Sequence, residues 1–256
     1  MKKILVLFEN EITTENLIEG AIYLKEKMGF TVSGLYINDI RRDGVMTQGI
    51  EGAIYDTTRT IMREEFLELR KQEIKNIKTK LKNIDFEMEI KLETGIFDEI
   101  IREEMKTNDI LYIGKGNLVS DLLLEVLKEN YKSVLIQGEA PLDFTNIFVA
   151  NDNGVKINRS CYQFMNCFPL HKDIKLIEGK NIAEKRSLLE YLTSHSYNCK
   201  SEILEKKEEV VDFLSDKSLN GILIMGNLSR GYFLERITGK IGMKLLKQTH
   251  LSIYIG

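Results

Sequence analysis

Apolar residues along the chain fall into short continuous runs that alternate with stretches of helical spacing. Lys3–Phe8 is the first such run, with no polar residue interrupting Ile4 to Phe8. Continuous runs of this kind are typical of parallel strands covered on both faces. Thr14–Met28 follows with Leu17, Ala21, Leu24 and Met28 at helical spacing. Thr13 or Thr14 is the expected cap and Gly29 the expected stop. Phe30–Ile37 reads as a second strand, 39–58 as a loop and Thr60–Lys82 as a long charged helix. Phe86–Leu92 alternates like a strand near a sheet edge. Ile96–Met105 and Leu118–Glu129 are expected helices, Asp109–Ile113 and Ser133–Ile136 strands. The order β-α-β-α-β-α-β-α-β predicts an α/β fold with a doubly wound parallel sheet of Rossmann-like type.

The same order then begins again. Strands are expected at Asn146–Ala150, Asp173–Ile177, Lys200–Leu204, Gly221–Met225 and Leu251–Ile255. Helices are expected at Val155–Phe168, Ala183–Ser194, Glu208–Leu214 and Lys240–Lys247. Asp109 to Gly114 and Gly221 to Gly226 match in register as the fourth strand of each copy. The chain is therefore expected to hold two domains, residues 1–140 and 141–256, joined by a linker at Gln137–Thr145 that contains Gly138 and Pro141.

Length and composition fit two ordinary domains: 256 residues, 43% hydrophobic and 29% charged. With a net charge of −3, no basic surface for nucleic acid is expected. The apolar runs are too short for a membrane span or an export signal, so a soluble, cytoplasmic protein is expected. Cys161, Cys167 and Cys199 form neither an even disulfide framework nor a CxxC pair and read as reduced thiols.

The stretch from Ile222 to Ile255 resembles the closing block of universal stress proteins: an apolar strand ending in Met225-Gly226, a loop, a helix and a last strand. In nucleotide-binding members the loop runs glycine, two residues, glycine, nine residues, glycine, then serine or threonine. Here Gly226, Ser229, Gly239 and Lys240 keep the spacing, with serine for the second glycine and lysine for the hydroxyl residue. The chemistry behind that loop is anion binding. Glycines let backbone N–H groups approach phosphate oxygens, and the following helix start directs its free N–H groups to the same place.

The resemblance implies two five-stranded sheets of order 3-2-1-4-5, with the closing strands of the two modules paired as an internal pseudo-dimer; a further homodimer stays open. It implies a site for ATP or another adenine nucleotide, with or without magnesium, in the second module. Its residues would be Ala150, Asp152, Met225, Gly226, Ser229, Arg230, Gly239, Lys240 and Ile241. Asp152 falls where the family places an acidic residue facing the base or ribose, although Asp152-Asn153-Gly154 is also an ordinary turn sequence.

The first module keeps Gly114-Lys115-Gly116 but has a shorter loop before its last strand, so no triphosphate site is expected there. His171, His195 and His250 are scattered and form no metal motif. No candidate nucleophile or general base stands out, so at most slow ATP hydrolysis is expected. Two functions remain open: a nucleotide-binding stress protein acting by ligand-dependent interaction, and a module of the same fold that has lost the nucleotide and acts on protein partners through its surfaces.

Overall fold

The computed structural model describes residues 2–9, 11–41, 55–115, 119–129, 132–226 and 241–256. The first half holds β1 (Lys3–Phe8), α1 (Glu11–Glu26), β2 (Thr31–Asp39), α2 (Tyr55–Asn83), β3 (Ile90–Gly95), α3 (Phe97–Glu104), β4 (Ile110–Gly114), α4 (Asp121–Glu129) and β5 (Ser133–Gln137). The second holds β6 (Ile147–Asn151), α5 (Val155–Cys167), β7 (Asp173–Gly179), α6 (Lys180–Ala183), α7 (Ser187–Ser194), β8 (Asn198–Leu204), α8 (Lys207–Leu214), β9 (Ile222–Met225), α9 (Ile241–Gln248) and β10 (Ser252–Ile255).

All ten strands join one sheet in the order β3-β2-β1-β4-β5-β10-β9-β6-β7-β8. Each half contributes the doubly wound 3-2-1-4-5 arrangement, parallel throughout. The halves meet where β5 and β10 pair antiparallel, with Tyr254 opposite Leu135. Each closing strand would otherwise be an open sheet edge, and each here covers the other.

Side chains alternate across the strands, and both faces are buried. In β1, Ile4, Val6 and Phe8 enter one apolar layer with Leu17, Ala21 and Leu24 of α1, while Leu5 and Leu7 enter the layer on the other face. Both layers run from one half into the other. In the first, Ile4 and Leu24 belong to the same cluster as Val149, Phe164 and Tyr254. At the outer ends of the sheet β3 and β8 are the least buried strands. They carry charge: Lys91 lies 2.9 Å from Glu93, and Glu202 of β8 lies 3.0 Å from Lys175. Charges on an edge oppose addition of another strand.

The junction is built by close approach. A Cβ on Gly138 would collide with the carbonyl oxygen of His250, and its N–H donates to Ser252 Oγ at 3.1 Å. Tyr254 is fully buried and donates its hydroxyl to Ser133 Oγ at 2.7 Å. Its ring meets Phe164 edge-on at 5.2 Å and Phe168 at 5.9 Å.

Element boundaries differ from the sequence expectation in three instructive places. Helix α1 begins before Thr13 and Thr14, which are buried instead of capping it; Gly114 packs directly against the Thr13 side chain. Strand β3 starts at Ile90, not Phe86, because Phe86 is a buried residue just past α2, with Lys25 Nζ 4.8 Å above its ring. The helix expected over Ala183–Ser194 is two short helices, α6 and α7, separated at Arg186, whose φ of 51° is left-handed. Of the loop expected over 39–58, Asp39 ends β2 and residues 55–58 open α2, while residues 42–54 lie outside the described residues. Gly29, at φ 69°, ends α1 as expected, with Phe30 N donating back to Leu24 O.

Candidate functional site

The neighbouring strands β6 and β9 run parallel, with Val149 beside Ile224, so their carboxyl ends open on the same edge of the sheet. This is the point where the strand order changes direction in the second half, the place at which doubly wound sheets present a crevice. Asp152 follows β6 and Gly226 follows β9. Gly226 lies against the first turn of α5: a Cβ there would come within 3.2 Å of Ile157 N and of Lys156 Cβ. Any larger residue at 226 would have to push that turn away.

The connection from β6 to α5 is an Asx-stabilised turn. Asn151 Oδ1 accepts from Asn153 N at 2.9 Å, and Asp152 Oδ1 accepts from Gly154 N at 2.8 Å. Asn153 takes a left-handed φ of 57°, which asparagine tolerates well. Gly154 is the residue preceding α5 and has no side chain to cap it. One carboxylate oxygen of the exposed Asp152 is thus engaged in the local turn.

The remaining expected site residues divide by position. Ala150 is partly buried and packs against the apolar layer that also holds Met225, Leu245 and Leu246. Met225 is 3% exposed in that layer, so its side chain lies in the core and what it offers the crevice is backbone. Ile241, the first residue of α9, is partly buried against the same layer. Ser229, Arg230, Gly239 and Lys240 lie outside the described residues.

Sequence reasoning missed a buried polar pair beside this crevice. Asn151 Nδ2 donates to Glu178 Oε2 at 2.5 Å, the two residues sitting side by side at the ends of β6 and β7. Glu178 is 3% exposed. In sequence it is one acidic residue between an aliphatic strand and a glycine, which reads as a solvated strand end. Only its alignment with Asn151 gives it a partner.

The lysine that follows β4 in the first half is turned away from a site of this kind. Lys115, after β4, is 4% exposed and donates its ammonium to the Thr249 carbonyl of the other half. Burial lowers its pKa, partly opposed by Glu139. Lys115 is thereby committed to the junction. Residues 116–118, the start of the shorter loop, lie outside the described residues.

Taken together, strand order, register and covering helices define a doubly wound, Rossmann-like α/β fold. The chain matches the crystal structure of a universal stress protein from Archaeoglobus fulgidus DSM 4304, with a TM-score of 0.62 and 15% identity. The match covers 98% of this chain and 94% of that one. The chain therefore has the universal-stress-protein fold over its whole length. No protein-family model and no curated protein sequence matches it. Among the described residues no helix is long and apolar enough to cross a membrane.

Proposed function

We propose that the chain is a tandem universal stress protein, with modules at 1–140 and 141–256, whose second module binds one adenine nucleotide, ATP or a close relative, with or without magnesium. The observation that carries this reading is the convergence of Asp152 and Gly226 at the ends of adjoining strands, with the first turn of α5 against Gly226. The loop of 226–240 keeps the spacing of a phosphate-binding turn, and Lys240 adds a positive charge at its end. Binding would then alter the surface offered to a protein partner. The three cysteines are unbridged, which suits a reducing compartment, and we place the protein in the cytoplasm.

Calorimetric titration with ATP is expected to give one site per chain. Lys240→Ala should weaken binding about tenfold or more, the effect of losing a charge-assisted hydrogen bond. A stoichiometry near two, or unchanged affinity in that variant, would put the site elsewhere. Hydrolysis should stay far below the rate of about 1 per second typical of working enzymes, since donors without a base stabilise binding and not chemistry. A phosphate-release assay checks this.

A second reading, an interaction module that has lost the nucleotide, is favoured by the Asp152 carboxylate, which already accepts the Gly154 N–H. Mass spectrometry of small molecules released from the denatured protein separates the two. Adenine nucleotide supports the first reading; its absence, with a flat titration, supports the second.

A further inference from the structure

The first half has its own crevice, at the carboxyl ends of β1 and β2. It is lined by Phe8, Glu9, Asn38, Asp39, Arg70 and Phe97, among others. Its volume is about 10 Å³, on the order of what one water-sized group occupies. Phe8 stands beside Tyr36 in the sheet, so Glu9 and Asn38, which both line the crevice, come from the ends of adjoining strands.

Among the described residues the charges around it are mostly negative. Asp39, 7% exposed, receives a fork of hydrogen bonds from Arg41, with Nε at 3.1 Å and Nη2 at 3.0 Å. Arg41 also lies 3.1 Å from Asp98 and 2.8 Å from Glu125. Arg70 is bound to Glu73 at 2.8 Å and to the Tyr36 hydroxyl at 2.7 Å. Glu9 accepts from Ser120 Oγ at 3.1 Å. Among the described residues five carboxylates thus surround two guanidinium groups, a balance that favours a cation over phosphate.

One group points to what is received there. Asn38 is 4% exposed, and its Oδ1 is buried with no hydrogen-bond partner among the described residues. Buried acceptors in folded proteins are completed by a donor. A primary ammonium is a compact cation carrying three N–H donors, which suits a single carboxamide oxygen beside a carboxylate in so small a space.

We propose that this crevice binds the primary ammonium group of a small organic amine, with Asn38 Oδ1 and the Glu9 carboxylate as acceptors and Arg41 holding Asp39 in place. This site is independent of the nucleotide reading of the second half. The probe is ethylammonium chloride, titrated into the ¹⁵N-labelled full chain and compared with tetramethylammonium chloride at equal ionic strength. Ethylammonium should move the backbone amides of Ile37 and Asn38 saturably; tetramethylammonium, which has no N–H, should not. Glu9→Gln should weaken binding about tenfold and Asn38→Leu should abolish it; Glu9 is partly exposed and its variant should fold normally. No saturable change, the same change with both cations, or unaltered affinity in both variants overturns the proposal. Displacement of ethylammonium by adenosine at the same amides would assign the crevice to a nucleobase and overturn it as well.

Discussion

Replacing Tyr254 by alanine should lower the unfolding free energy by about 3–5 kcal/mol, the range for truncating a large buried aromatic side chain. The residue lies in β10, where the halves join. Its ring belongs to an aromatic cluster with Phe164 and Phe168, and Phe168 also meets Phe144 at 4.8 Å and Phe30 of the first half at 5.5 Å. Its hydroxyl crosses the β5–β10 pair to Ser133 Oγ. The truncation removes contacts from both halves and leaves a cavity that the surrounding strands are poorly placed to close. Tyr254→Phe keeps the ring and loses only the hydrogen bonds of the hydroxyl, so it should cost on the order of 1 kcal/mol. Urea unfolding of the three proteins measures both steps. Because the apolar layers run through the junction, wild type should unfold in one transition. Two separated transitions, or a Tyr254→Ala loss no larger than that of Tyr254→Phe, would show that the halves do not depend on this contact.

The strand order was legible because it rests on coarse signals. Runs such as Ile110 to Ile113 and Ile222 to Met225 have no polar residue, and only a strand buried on both faces needs that. The repeat of such runs supplied the second half, and the resemblance of the closing block supplied the β5–β10 pairing. What stayed hidden depends on contacts between residues distant in sequence. Phe86, Met88 and Ile90 alternate as a strand would, yet Phe86 is held by Lys25 and the end of α2, and pairing begins only at Ile90. Arg186 breaks a run with good helical spacing by adopting a conformation that sequence assigns to glycine or asparagine. Asn38, Asn151 and Glu178 are polar residues at strand ends, where turns normally place them, and nothing local distinguishes a buried one from a solvated one. Asp152 and Gly226 were expected after adjoining strands of the second half, and they lie there. The crevice of the first half has no sequence motif, since its lining residues come from β1, β2, α2, α3 and α4 and only the fold brings them together.

Stability should fall steeply above about pH 9 under reducing conditions. Cys161 lies fully buried on α5; burial first, and the neighbouring Cys199 thiol second, push its pKa up to about 12. Burial likewise raises the phenols of Tyr112 and Tyr254 well above their ordinary value. Unfolded thiols ionise near 8.5 and phenols near 10. Between those values and the raised native ones, the unfolded chain has released protons that the folded chain still holds. Fewer protons on the unfolded state means that stability decreases as pH rises. The contribution of Cys161 is complete below about pH 8.5 and is lost through about pH 12, and that of the two phenols is complete below about pH 10 and fades above it. For Cys161 alone the effect is an appreciable fraction of the total stability of about 5–15 kcal/mol usual for a domain. Lys115 acts in the opposite sense, since its pKa is lowered in the folded state and its penalty fades as pH rises toward 10.4. One lysine offsets part of the loss from one thiol and two phenols. Urea midpoints measured from pH 8 to pH 11 should therefore drop steadily. Cys161→Ala should begin lower, from lost packing, but decline less steeply over the same range. A flat profile to pH 11, or equal slopes in the two proteins, would show that the Cys161 proton is not retained by the folded chain.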